Sequence, residues 1–144
     1  MSDSLPHYEV HGQGGPFILF AHGILSSRAQ WTPNLAAFTE QYRPVVVELL
    51  GHGRSPTPSD PAAYSPSSYV EYFEHIRRIV GAERWYVVGQ SLGAALTLRY
   101  TLDCPERVTA QVFTNANSAL APPGWEDLVR PFFEQMEREF KSEG

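Results

Sequence analysis

Short runs of uninterrupted apolar residues alternate along the chain with longer segments whose apolar positions recur at helical spacing. That pattern predicts an α/β fold, a mostly parallel sheet with helices on both faces. Tyr8-Glu-Val10 reads as a short strand, and His11-Gly-Gln-Gly-Gly15 as the turn that returns the chain into Phe17-Ile-Leu-Phe-Ala21. The latter run has no polar alternation, as expected of a strand covered on both faces. Pro44 to Leu50 and Trp85 to Val88 read as buried strands for the same reason, and Val108 to Phe113 as a further strand. Thr32-Pro33 has the form of a helix start, a hydroxyl cap followed by proline, with Leu35, Ala36 and Phe38 as the apolar stripe.

The stretch from Gly51 to Pro66 is punctuated by Gly, Pro and Ser and predicts irregular backbone. A helix follows from about Ser68, where Ser68-x-x-Glu71 fits a capping box; Val70, Phe73, Ile76 and Val80 share one face, and Gly81 closes it. Small and apolar residues from Leu92 to Leu102 make a further helix. After a loop from Asn115 to Pro123, a last helical segment from Trp125 to Lys141 carries Val129, Phe132, Phe133, Met136 and Phe140 on one face. Pro131 lies inside it and predicts a kink or two short helices.

At 144 residues, 42% hydrophobic and with a formal charge of −5, the composition is that of an ordinary soluble domain. No apolar run approaches the ~20 residues of a membrane-spanning helix, and Met1 to Pro6 has neither a basic nor an apolar leader region. A cytoplasmic protein with no membrane partner is therefore expected. Cys104 is the single cysteine, and no Cys/His cluster has zinc-ligand spacing, so no disulfide, metal or cofactor is expected. Eleven Lys and Arg are scattered among sixteen Asp and Glu, which gives nucleic acid no electrostatic footprint.

The chemistry concentrates at Gly89-Gln90-Ser91-Leu92-Gly93, a G-x-S-x-G with a strand directly before it and a helix directly after. Turning from strand to helix without a loop forces a cramped backbone at Ser91, and a side chain at Gly89 or Gly93 would collide with the neighbouring elements. Ser91 would then stand at the carboxyl edge of the sheet, where the N–H of Leu92 opens the helix and favours developing negative charge. The plainer alternative is a glycine-rich turn that contains a serine. Independently, His22-Gly23-Ile24 follows the strand ending at Ala21, and Gly23 permits a sharp turn that frees the N–H of Ile24. Ile24 and Leu92 are the natural pair of donors for a tetrahedral oxyanion.

His22-Gly23, then Glu48-x-x-Gly51-x-Gly53-x-Ser55, Gly89-x-Ser91-x-Gly93 and Pro105-Glu-Arg-Val108, each in its strand context, resemble the α/β-hydrolase fold family from Tyr8 to about Ala119. The resemblance implies a Ser91 nucleophile acting on a small acyl or ester substrate, an oxyanion hole at Ile24 and Leu92, and motif support from His22, Gly23, Gly89, Gln90 and Gly93. It implies a core over 1–120, incomplete at its C-terminal end, and the start of a cap or lid over 121–144. Serine at the elbow speaks against the dehalogenase and epoxide hydrolase branches, whose nucleophile is a carboxylate.

A serine needs a general base, and the family order is nucleophile, acid, then histidine. All five histidines, His7, His11, His22, His52 and His75, precede Ser91. Asp103 falls at the far end of the elbow helix, Asp127 in the presumed lid, and the loop after Phe113 offers Asn115 and Asn117. His22 and His52 belong to the correct sheet edge, but supporting and turn-forming roles are the stronger expectations for them. Two readings remain: a serine hydrolase, weak or inactive by itself because a C-terminal half or partner chain supplies the rest, or a non-catalytic hydrolase-like binding protein.

Overall fold

A computed structural model describes residues 5–117, 120, 121 and 123–143. Five strands form one sheet: β1 (Tyr8–Val10), β2 (Phe17–Ala21), β3 (Arg43–Val47), β4 (Trp85–Gln90) and β5 (Val108–Thr114). Their spatial order is β1-β3-β2-β4-β5, and only β1 runs antiparallel, at the edge against β3. Four helices connect and follow them: α1 (Thr32–Thr39), α2 (Pro66–Val80), α3 (Leu92–Asp103) and α4 (Trp125–Glu143). None of the described helices is long and apolar enough to cross a membrane.

The two-residue repeat of the strands sorts their side chains onto two faces. Leu19, Val45, Val47, Trp85 and Val87 point toward α2 and α3 and pack with Phe73, Ile76, Leu96 and Tyr100. Ile18, Phe20 and Val46 point the other way, where Trp31, Leu35 and Phe38 partly cover them. The expectation of helices on both faces is met, but the cover is unequal. Trp85 and Val87 are buried whereas Tyr86 and Val88 are half-buried, so β4 is not the doubly buried strand its apolar run suggests. On β5, Val112 and Phe113 are exposed, as are Leu128, Phe132, Phe133 and Phe140 of α4.

Several boundaries move, each for a local reason. β3 ends at Val47 instead of Leu50, because the next donors leave the sheet: Leu49 N–H bonds to the His22 ring at 3.0 Å and Leu50 N–H to the Tyr69 hydroxyl at 2.9 Å. Thr32 is the first residue of α1 and not its cap, since a 3-10 turn at Arg28–Trp31, capped by Ser27, leads directly into the helix. The cap of α2 is Ser65, which accepts from Ser68 N–H at 3.2 Å and places Pro66 in the first turn; the expected box at Ser68 and Glu71 does not form. Gly81 closes α2 at φ 77° as expected. Pro131 sits inside one uninterrupted helix, so α4 is not two short helices. Part of the loop expected from Asn115 to Pro123 lies outside the described residues.

A largely buried ion pair within α2 is joined to α3 by the Tyr100 hydroxyl. Arg77 Nε and Nη2 donate to the Glu74 carboxylate at 2.7 and 2.9 Å, and the Tyr100 hydroxyl donates to it at 2.6 Å. Arg77 also donates to the carbonyls of Ala82 and Glu83, at 2.5 and 3.2 Å, so its guanidinium is satisfied beyond the carboxylate. The Arg77 hydrogen bonds hold Glu74 well below its ordinary 4.5, at about 2, against the opposing effect of burial. A carboxylate depressed by folding contributes stability that is fully present above about 4.5 and is lost as pH falls through about 2. Glu74→Gln is expected to cost about 2 kcal/mol at neutral pH and to flatten the acid limb over that window, read by urea denaturation at stepped pH. An unchanged acid limb contradicts the assignment.

Candidate active site

The register aligns the carboxyl ends of the parallel strands: Ala21 lies opposite Val47 on one side and Gly89 on the other, and Gln90 opposite Thr114. From β2 the chain moves toward β3, and from β4 it moves the opposite way toward β5. The connections therefore diverge and leave a crevice between β2 and β4, the place where open α/β sheets bind ligands. The residues after Ala21 enter it from one side and Ser91 from the other. Gly23 lies so near that a Cβ built on it would stand 3.2 Å from Ser91 Cβ and overlap the Gln90 side chain.

Ser91 has φ 52° and ψ −114°, a conformation costing on the order of 1–3 kcal/mol. Both its peptide groups are tied, its N–H to Thr114 O at 3.0 Å and its carbonyl to Ala95 N–H at 3.2 Å. The close packing around it explains the flanking glycines. A Cβ on Gly89 would come within 2.7 Å of Ala94 Cα, and one on Gly93 within 2.6 Å of the His22 carbonyl oxygen. Thr97, one turn further along α3, donates its hydroxyl to Gly93 O at 2.8 Å and accepts from Gln111 at 3.1 Å, which joins the elbow helix to β5. Thr97 was not legible as a site residue, because a threonine in a helix carries no signal of which carbonyl it will meet.

The Ser91 hydroxyl is half-buried and makes no hydrogen bond to the described residues. The N–H of Leu92, the first of α3, has no acceptor among them either, and neither has the N–H of Ile24. The geometry thus brings Ser91, Leu92 and Gln90 against Gly23, whose neighbour Ile24 carries the second N–H without an acceptor among the described residues.

The histidines are arranged differently. His22 is fully buried; its Nδ1–H donates to Gly23 O at 2.7 Å and its Nε2 accepts from Leu49 N–H at 3.0 Å. Those partners fix one neutral tautomer. Burial lowers its pKa, with a smaller contribution from nearby His52, against the opposing effects of the Gly23 carbonyl and the Glu48 carboxylate. His52 is also engaged at both ring nitrogens, to Leu50 O and to Leu25 N–H, each at 3.0 Å. Neither ring has a nitrogen free to take a proton from Ser91. His75 is exposed on α2, and His7 and His11 flank Glu9 at 3.6 Å on the β1 edge.

Glu48 is buried; it accepts from Arg54 N–H at 2.9 Å and faces Arg28 at 3.6 Å, while a Cβ on Gly53 would strike its carboxylate. Ser55 closes the same turn by donating to Glu48 O at 2.5 Å. Cys104, at the end of α3, is half-buried, and burial pushes its thiol pKa up.

A parallel sheet that ends in a strand–serine–helix elbow beside a glycine turn defines the class of fold to which hydrolytic enzymes of this architecture belong. The family model described as alpha/beta hydrolase fold matches residues 16–143. RutD of Stutzerimonas stutzeri (strain A1501), provisionally named a carbamate hydrolase, is 32% identical over 119 residues, covering 81% of this chain and 44% of RutD. Carboxylesterase YbfK of Bacillus subtilis (strain 168) is 32% identical over 97 residues, covering 67% of this chain and 32% of YbfK. An epoxide hydrolase from an endophytic Streptomyces superposes with a TM-score of 0.71 at 29% identity, over 74% of this chain and 32% of that one. The chain belongs to the α/β-hydrolase fold family, and it spans less than half the length of these curated relatives.

The tight contact of α3 with the end of β2 makes a direct prediction. Gly93→Ala is expected to cost more than about 2 kcal/mol, because the new methyl meets backbone that cannot move aside. Gly14→Ala, with nothing within 4 Å, is expected to be near neutral. Thermal denaturation of both variants checks the pair, and equal melting temperatures contradict the packing described.

Proposed function

We propose that the chain carries the nucleophile and oxyanion half of a serine hydrolase site that acts on a carboxylic ester or related acyl compound through an acyl-enzyme. The observation that carries this reading is the Ser91 hydroxyl, held at φ 52° at the start of α3 where the loop of Gly23 and Ile24 meets it; the hydroxyl and the N–H groups of Ile24 and Leu92 have no partner among the described residues. In the reaction Ser91 Oγ attacks the carbonyl carbon, and the carbonyl oxygen becomes an oxyanion between the two donors. Collapse expels the alcohol and leaves the acyl group on Oγ, and water then releases it. The positive end of α3 acts in the same direction as the two donors. These steps call for no metal or organic cofactor.

The names of the relatives support a carbonyl substrate, since carboxylic esters and carbamates both present one. Epoxide opening fits Ser91 poorly on chemical grounds. A serine that opened an epoxide would leave an alkyl ether, which water does not cleave, whereas a carboxylate leaves a hydrolysable ester.

The general base comes, in this reading, from polypeptide outside the 144 residues, because both ring nitrogens of His22 and His52 are already engaged. The exposed apolar side chains of α4 fit a cap that closes over the crevice once the rest of the core is present. Without that base the chain is expected to hydrolyse an activated ester at most ~10³–10⁴-fold faster than water, the residue left to triad-deficient hydrolases. A fluorophosphonate probe is expected to label the chain slowly and on Ser91, read by mass spectrometry of the modified peptide. Ser91→Ala is expected to abolish the label; equal labelling of that variant overturns the assignment.

A further inference from the structure

The bonds around Ile24 show how an N–H with no acceptor among the described residues is kept in place on an exposed loop. The plane of a peptide unit sets its C=O and N–H in opposite directions, so pinning one end aims the other. In the Gly23–Ile24 unit, the Gly23 carbonyl accepts from His22 Nδ1–H at 2.7 Å and from Ser26 N–H at 3.3 Å, which aims the Ile24 N–H away from them. In the next unit, the Leu25 N–H donates to His52 Nε2 at 3.0 Å. Leu25 itself has φ 57°, a left-handed conformation that a leucine adopts only when its surroundings hold it there. Both imidazoles hang from one short turn, His22 through Leu49 N–H and His52 through Leu50 O, and the rings meet edge to face at 5.1 Å. Leu50 N–H is held in turn by the Tyr69 hydroxyl on α2.

We infer that His52 is a positioning residue of the candidate site: its neutral Nε2, by binding Leu25 N–H, ties the β2 loop to the β3 turn and holds Ile24 N–H toward Ser91. The role in catalysis rests on the serine hydrolase reading above; the tie itself does not. His52 Nε2 accepts only while the ring is neutral, because a protonated ring presents a second donor to the Leu25 donor. The tie is therefore released as His52 takes up a proton. Among the described residues, His22 packs against that ring, Glu48 acts on His22, and Arg54 lies two residues further along the same turn. Tyr69, pushed up to about 12 by burial, stays neutral throughout.

The test uses the full ¹⁵N-labelled chain, with amide exchange at Leu25 and the His52 ring signals followed by NMR against pH, and with the phosphonate rate at Ser91 measured in parallel. Leu25 is expected to be protected about tenfold more with the ring neutral than protonated, the factor for one modest hydrogen bond. His52→Ala is expected to lose that protection at every pH and to slow Ser91 labelling about tenfold. In His52→Gln the side-chain oxygen takes the place of Nε2 and cannot be protonated, so protection and rate are expected to recover and the pH dependence to vanish. Should His52→Ala fail to fold, the wild-type titration and His52→Gln decide alone. Leu25 protection that ignores the His52 titration, or a Ser91 rate that ignores His52 while Ser91 reacts, overturns the inference by itself. A Ser91 inert at every pH, with Leu25 still tied to His52, instead overturns the serine hydrolase reading and with it the catalytic role of the tie.

Discussion

The arrangement at the carboxyl edge depends on how closely the start of α3 can approach the end of β2. Gly93 lies against the carbonyls of Ala21 and His22 with no room for a Cβ, and Gly89 lies against Ala94 in the same way. That approach allows strand to pass into helix through Ser91 alone, which fixes its φ at 52°. It also sets the first N–H of the helix beside the loop that leaves β2. The Ser91 hydroxyl, the Leu92 N–H and the loop that carries Ile24 come together because two backbone segments touch, before any side chain is considered.

Strain at one residue persists only when its surroundings over-determine it. Here Thr114 and Ala95 hold the two peptide groups of Ser91, Thr97 holds the Gly93 carbonyl, and Gln111 holds Thr97. The opposite wall is fastened through imidazoles in place of backbone, with His22 and His52 reaching from one loop to the other. The Glu74–Arg77–Tyr100 cluster then keeps α3 registered on α2. The order of the crevice thus reaches back into the buried face of the sheet. The face under α1 is thinner, and β5 and α4 leave large apolar side chains in water.

The sequence reveals most where a pattern has a short-range cause. The buried strands, the elbow, its two glycines and the turn at Gly23 are legible because period, steric size and φ are local properties. The sequence sets the starts of α1 and α2 one to three residues late, at Thr32 and Ser68, since hydroxyls at 27, 32, 65 and 68 compete for the role and a preceding 3-10 turn decides between them. The apolar run overshoots the end of β3 by three residues because Leu49 and Leu50 are as apolar as the strand, and only the His22 ring and Tyr69 hydroxyl show where their N–H groups turn away. The bond from His52 to Leu25 joins residues 27 apart, and no local pattern announces it. Gly51 and Gly53, both at positive φ, give the one hint, a turn able to aim the residue between them.

Whether Ser91, Ile24 and Leu92 act as one site is decided by where a trapped tetrahedral group comes to rest. The most direct measurement is a crystal structure of the chain carrying a covalent phosphonate, whose tetrahedral oxygen stands in for the oxyanion. Phosphorus bonded to Ser91 Oγ, with one oxygen about 2.7–3.1 Å from both the Ile24 and Leu92 N–H nitrogens, is the expected result. A phosphonate attached to another residue, or one on Ser91 whose oxygens point to water away from both nitrogens, contradicts it.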